Sequence, residues 1–145
     1  MISFRLRNAA ADDLLVVLEL LRAERLPEDV DPHFGNFMVA DRDGRIVGAV
    51  GLELLGTRAL LRSLVVAADS RDAGVGSVLA RAAIEKARDA GVRELFLITI
   101  DAAPFFERFA FLRVARDDAP SALRATREFA ELCPSTARLM RLGPR

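Results

Sequence analysis

Two strand-like stretches, Asn36 to Ala40 and Arg45 to Leu55, flank Asp43-Gly44, a pair that accepts the positive φ needed at both central positions of a type I′ turn. The chain therefore carries an antiparallel hairpin, and a second turn at Gly56-Thr57 extends it into Ala59 to Val66. That stretch is apolar almost throughout, interrupted by Arg62 and Ser63, the pattern of a strand covered on both faces. It belongs at the centre of a sheet.

The other elements arrange themselves around this meander. Ile2, Phe4 and Leu6 alternate with polar residues as in a half-buried strand. Asp12 and Asp13 open a helix whose apolar face is Leu14, Val17, Leu18 and Leu21, expected to stop near Leu26-Pro27. After the loop Ala67 to Val75, a second helix presents Leu79, Ala82, Ala83, Ala87 and Ala90, with Gly91 placed for a left-handed cap. Glu94 to Ile100 reads as a buried strand, and Pro104 starts a short helix with Phe105, Phe106 and Phe109. Leu112 to Ala115 follows as a strand, Pro120 to Leu132 as a helix, and Ala137 to Leu142 as a last strand. The expected architecture is α+β: a mixed, mostly antiparallel sheet with helices on both faces.

With 145 residues the chain is read as one domain, 1–145. Its 21 basic and 21 acidic residues cancel, which removes any general attraction to nucleic acid or to an anionic membrane. Cys133 is the only cysteine, so neither an intrachain disulfide nor a paired-thiolate metal site is available. The most apolar run, Leu14 to Leu21, includes Glu19 and is far shorter than the roughly 20 residues of a membrane span. No metal and a cytoplasmic location are expected.

The chemically pointed segment is Arg71-Asp72-Ala73-Gly74-Val75-Gly76, which follows the buried strand and opens a helix. Glycines there allow successive backbone N–H groups to converge on an anion at the positive end of the helix dipole. The alternative is an ordinary loop whose glycines serve turn geometry. A dinucleotide fingerprint would need three glycines in the first strand-helix unit, and a P-loop would need Gly-Lys-Ser/Thr; neither is present.

The segment Leu64 to Leu79 resembles the acetyl-CoA motif of the GNAT superfamily of N-acetyltransferases, Arg/Gln-x-x-Gly-x-Gly/Ala after a strand. Ala103 to Phe111 resembles that superfamily's next motif. More narrowly, Leu60 to Val66 and Ala125 to Ala137 look like the arsenic-resistance N-acetyltransferase branch, with a more distant similarity to the acetyltransferase domain of N-acetylglutamate synthases. The resemblance implies the GNAT acyl-CoA N-acyltransferase fold, an α/β/α sandwich, and acetyl transfer from acetyl-CoA to a primary amine of a small, amino-acid-like or anionic acceptor. A noncatalytic acyl-CoA-binding or sensing domain is the alternative. Homodimers are common among such enzymes.

Residue by residue, the resemblance implies that the backbone of Leu64, Val65 and Val66 pairs with the pantetheine arm. The N–H groups of Arg71, Asp72, Ala73, Gly74, Val75, Gly76 and Ser77 would hold the pyrophosphate, and the N–H of Leu64 would face the thioester oxygen. Asp72 stands where many relatives have glycine, and its carboxylate opposes the pyrophosphate charge. Phe106 stands where relatives often have a Tyr that protonates the departing thiolate; the chain has no Tyr.

An alkylamine is mostly protonated at pH 7, so acetyl transfer calls for a proton acceptor. Glu53 is the candidate base because it falls on the Val47 and Ala49 face of its strand; the other reading is a carboxylate paired with an Arg. Glu24 is a second candidate. Arg62 and Ser63 are expected on opposite faces, with Arg62 either binding an acceptor carboxylate through its planar fork or satisfied by a structural acid. His33, the only His, reads as a surface-loop residue or part of a lid. Cys133 is a candidate proton donor to the thiolate, or an inert buried Cys.

Overall fold

The computed structural model describes residues 3–71, 73–132 and 136–143. Among them seven strands form one mixed sheet: β1 (Arg5–Asn8), β2 (Phe37–Arg42), β3 (Arg45–Leu55), β4 (Arg58–Val66), β5 (Glu94–Thr99), β6 (Leu112–Val114) and β7 (Arg138–Leu142). Their order is β1-β2-β3-β4-β5-β7-β6, which puts β4 in the middle, as its nearly continuous apolar run leads one to expect. The β4–β5 pairing is parallel, and the β1–β2, β2–β3, β5–β7 and β6–β7 pairings are antiparallel. The helices are α1 (Leu14–Ala23), α2 (Val75–Asp89), α3 (Ala103–Glu107) and α4 (Ser121–Arg124). None is long and apolar enough to cross a membrane. The chain divides into two compact units, Met1–Glu53 with Arg62–Lys86, and Leu54–Leu61 with Ala87–Arg145.

In the first unit, Val17 and Leu21 of α1 pack with Val30, Phe34, Phe37, Val39, Ile46, Ala49 and Val65. The β2–β3 hairpin turns as expected, with φ of +52° at Asp43 and +88° at Gly44, and the Asp41 carboxylate accepts a bond from the Gly44 N–H at 2.8 Å. β1 begins at Arg5, later than the alternation of Ile2, Phe4 and Leu6 suggests; Ile2 lies outside the described residues. Helix α1 also stops before Leu26-Pro27. Arg25 adopts φ +57°, and the Leu26 N–H donates to Leu21 O while the Arg25 N–H donates to Arg22 O, so a left-handed cap ends the helix ahead of the proline.

Gly48 sets the seat of α2. A Cβ there would lie 2.8 Å from Leu79 Cδ1, 3.0 Å from Val65 O and 3.1 Å from Val75 Cγ1. Only a residue without a side chain lets the first turns of α2 settle this closely on β3.

The second unit has its own core of Leu60, Phe96, Ala119, Leu123 and Leu139. Gly91, at φ +87°, closes α2, and Pro104 sits in the first turn of α3, both as expected. The helix expected over Pro120 to Leu132 is shorter. α4 covers only Ser121–Arg124, and a π-helical turn follows at Glu128–Leu132. Thr126 interrupts it: its hydroxyl and its N–H both donate to Leu123 O, at 2.7 and 3.0 Å. Its side chain thus competes with the regular main-chain ladder.

Candidate active site

The loop between β4 and α2 presents an open helix N-terminus. Ala68–Ser70 forms a 3-10 turn in which Ser70 is fully buried and its N–H donates to Ala67 O. Ala67 is tied back by its own N–H to Val47 O at 2.8 Å. Gly74 then takes φ +81°, and a Cβ at that position would meet nothing within 4 Å. The Val78 N–H donates to Gly74 O, which leaves the amides of Val75, Gly76 and Ser77 with no carbonyl one turn back in the 15-residue helix. An anion is the natural partner for such a cluster. The Arg71 guanidinium is drawn aside to Glu24 at the end of α1, 2.6 Å away, so Arg71 offers this site its main chain while its side chain braces the loop.

Just before the loop, β4 changes direction at Ser63, which has φ +60°. The sequence carries no sign of this, because serine in a strand normally keeps the extended conformation. The alternation of faces breaks there. Arg62 bonds to Glu53 on the Ala49 face of β3, and Val65, three positions later, packs in the same core as Ala49. One extra residue in the strand accounts for that spacing, and the left-handed residue is Ser63. The expectation that Arg62 and Ser63 face opposite ways is therefore corrected: Arg62 Nε donates to Ser63 Oγ at 3.1 Å.

Arg62 is the hub of a buried ionic network. Its side chain is 0% exposed; Nη1 donates to Glu53 Oε2 at 2.9 Å and Nη2 to Asp29 Oδ1 at 2.5 Å. The fork that the sequence offered to an acceptor carboxylate is filled by two carboxylates of the chain itself. The other oxygen of Glu53 lies 2.9 Å from His33 Nε2. His33 comes from the 3-10 segment Asp31–Asn36, which Phe34 pins to the core against Phe37, ring centroids 5.2 Å apart. It is thus a partner of Glu53 and not an isolated surface residue. Sequence reasoning missed the pairing of His33 with Glu53 and of Asp29 with Arg62, contacts that join residues 20 and 33 positions apart.

Phe106 belongs to the second unit, where its ring packs edge-on to Phe105 and Phe111 at 5.0 and 5.7 Å between centroids. Asp72 and Cys133 lie outside the described residues. Among the described residues, no group of three His, Cys, Asp or Glu is placed to hold a metal ion.

The model of the acetyltransferase (GNAT) family matches residues 5–111. The chain is 28% identical over 103 residues to the uncharacterized N-acetyltransferase CT2212 of Chlorobaculum tepidum, covering 70% of this chain and 66% of that one. It is 30% identical over 118 residues to an amino-acid acetyltransferase of Shewanella oneidensis, covering 74% of this chain but 26% of that protein. Among solved structures, N-acetylglutamate synthase from Neisseria gonorrhoeae, complexed with coenzyme A and N-acetyl-glutamate, superposes with a TM-score of 0.86 at 20% identity. That match covers all of this chain and 36% of the synthase. A GNAT-family acetyltransferase from Staphylococcus aureus superposes with a TM-score of 0.80 at 18% identity, each chain almost fully covered. The amino-acid acetyltransferases and the synthase are thus several times longer than the part this chain spans.

Proposed function

The chain belongs to the acetyltransferase (GNAT) family, and on that premise we propose that it transfers an acetyl group from acetyl-CoA directly to the primary amine of a small, amino-acid-like acceptor. The observation that carries the reading is the open start of α2, where Gly74 at φ +81° leaves clear space beside the first-turn amides. A pyrophosphate fits such a cradle. Acetyl-CoA is a substrate here: the amides from Arg71 to Ser77 take its pyrophosphate, and the Leu64 to Val66 backbone takes its pantetheine arm. The left-handed Ser63 breaks the regular strand conformation just before this backbone, which supports a role for the Leu64 N–H as donor to the thioester oxygen.

Removal of the amine proton falls to the network that contains Glu53. Two carboxylates set against one guanidinium give it a net negative charge, which favours the ammonium end of an acceptor. Arg62, fully covered, serves acceptor binding through the groups it holds, Glu53, Asp29 and Ser63. The amino-acid-like acceptor is supported by relatives named amino-acid acetyltransferases. Phe106 has no proton to give the departing thiolate, which takes one from water, with Cys133 as the other candidate donor. The arsenic-linked branch rests on Leu60 to Val66 and Ala125 to Ala137 and implies acetylation of an amine; one Cys does not supply the several thiolates that soft arsenic prefers. The reading takes residues 1–145 as one cytoplasmic domain.

Free-thiol release from acetyl-CoA, measured against L-glutamate, other amino acids, phosphinic and arsinic amino acids and polyamines, tests this directly. Turnover with one class identifies the acceptor. Tight coenzyme binding without thiol release replaces the transferase with a coenzyme-binding domain, and absence of binding removes both.

A further inference from the structure

Within the buried network, the Glu53 carboxylate has one oxygen on Arg62 and the other on His33, and its side chain is 6% exposed. The Arg62 and Asp29 side chains are 0% and 12% exposed. The imidazole of His33, at 34%, is the part of this cluster that reaches outward. A carboxylate accepts hydrogen bonds, so the neutral tautomer that turns an Nε2–H toward Glu53 has its lone pair on Nδ1.

Resting on the transferase reading above, we propose that His33 is the catalytic residue that takes the proton from the acceptor amine, with Glu53 and Arg62 as positioning residues behind it. The amine nitrogen forms its bond to the thioester carbonyl carbon, the carbon–sulfur bond breaks, and the thiolate leaves and is protonated by water. The proton lost from nitrogen moves to His33 Nδ1 and passes from the exposed imidazole edge to solvent. The positive charge that develops on the ring faces Glu53 from β3. Beyond it lie Arg62 from β4 and Asp29 from the preceding loop, and Asp31 stands on the ring's own segment.

The purified full chain, assayed with the best acceptor of the panel, provides the test. H33A is expected to lower kcat/KM at pH 7 by about a hundredfold, a usual general-base contribution, with acetyl-CoA affinity by calorimetry unchanged. The deficit shrinks as pH rises toward the acceptor's own pKa, where the free amine needs no base, and imidazole in the buffer restores part of the rate. E53Q shows a smaller deficit in kcat, and H33A/E53Q keeps the kcat of H33A alone, because Glu53 acts on the proton step through the ring, while its part in acceptor binding shows in KM. Wild-type rates for H33A overturn the proposal. So does a deficit that stays constant with pH and ignores imidazole, which marks a structural role. Wild-type protein that releases no thiol with any acceptor overturns the transferase reading itself, and the role of His33 with it.

Discussion

Arg62 illustrates how one residue changes meaning between sequence and structure. On β4 it reads either as a fork for an acceptor carboxylate or as a charge satisfied by a structural acid, and in the fold it is paired with Glu53 and Asp29 inside the first unit. Removing it strands two carboxylates away from water, so Arg62→Ala is expected to destabilise the protein by about 3–5 kcal/mol, read as a lower urea midpoint at unchanged slope. A midpoint within error of wild type would show that the network is open to solvent. A second ionic group sets an acid limit. The Arg7 guanidinium, 2.7 Å from Asp13, holds that carboxyl below the usual carboxylate range against opposing burial, and the Ala10 N–H adds to it. Because the folded-state value is depressed, the contribution is complete at neutral pH and is lost as pH falls from the unfolded carboxylate range through the folded one. Asp13→Asn is therefore expected to flatten the fall of stability below about pH 4, checked by urea midpoints at successive pH values. The special backbone at Ser63 was hidden for a related reason: no preference of serine announces its φ of +60°.

At the scale of elements, legibility followed the residues that dictate backbone geometry locally. Asp43-Gly44 and Gly91 announced a turn and a cap, and the apolar run of β4 announced its central place. The ends of α1 and α4 were less readable, since Arg25 accepts a left-handed φ without being a glycine and Thr126 redirects its hydroxyl onto Leu123 O. The contacts of His33 and Asp29 were not readable at all, because only tertiary packing brings them to β3 and β4. Helix α2 has the most direct experimental handle. A helical side chain covers the turn on the N-terminal side of its own Cα, so Gly76→Trp lays an indole over the first-turn amides. Loss of acetyl-CoA binding with an unchanged circular dichroism spectrum is the expected result. Affinity equal to wild type would move the pyrophosphate elsewhere. Gly48→Val tests the seat of the same helix: its Cβ would meet Leu79, Val75 and the Val65 carbonyl, and overpacking of this kind costs about 1–3 kcal/mol.

For the whole molecule, the question is whether coenzyme binding reports on the global fold. β3 and β4 each run from one compact unit into the other, so the chain links the Ser63 bend, the cradle and the second core through two continuous strands. A ligand that binds only the folded protein stabilises it by mass action, by about 2.7 kcal/mol when present at a hundred times its dissociation constant. For a chain of this size each kcal/mol raises Tm by roughly 2–4 °C near the midpoint. Saturating acetyl-CoA is thus expected to raise Tm by roughly 5–10 °C in a single cooperative transition followed by circular dichroism. Gly76→Trp should show no such rise, whereas H33A should show all of it, since the proposed role of His33 concerns the amine. If two transitions appear and acetyl-CoA moves only one, the two units unfold separately and the reading of 1–145 as one domain fails. If H33A loses the thermal shift together with the rate, the imidazole belongs to coenzyme binding and its assignment to the acceptor falls.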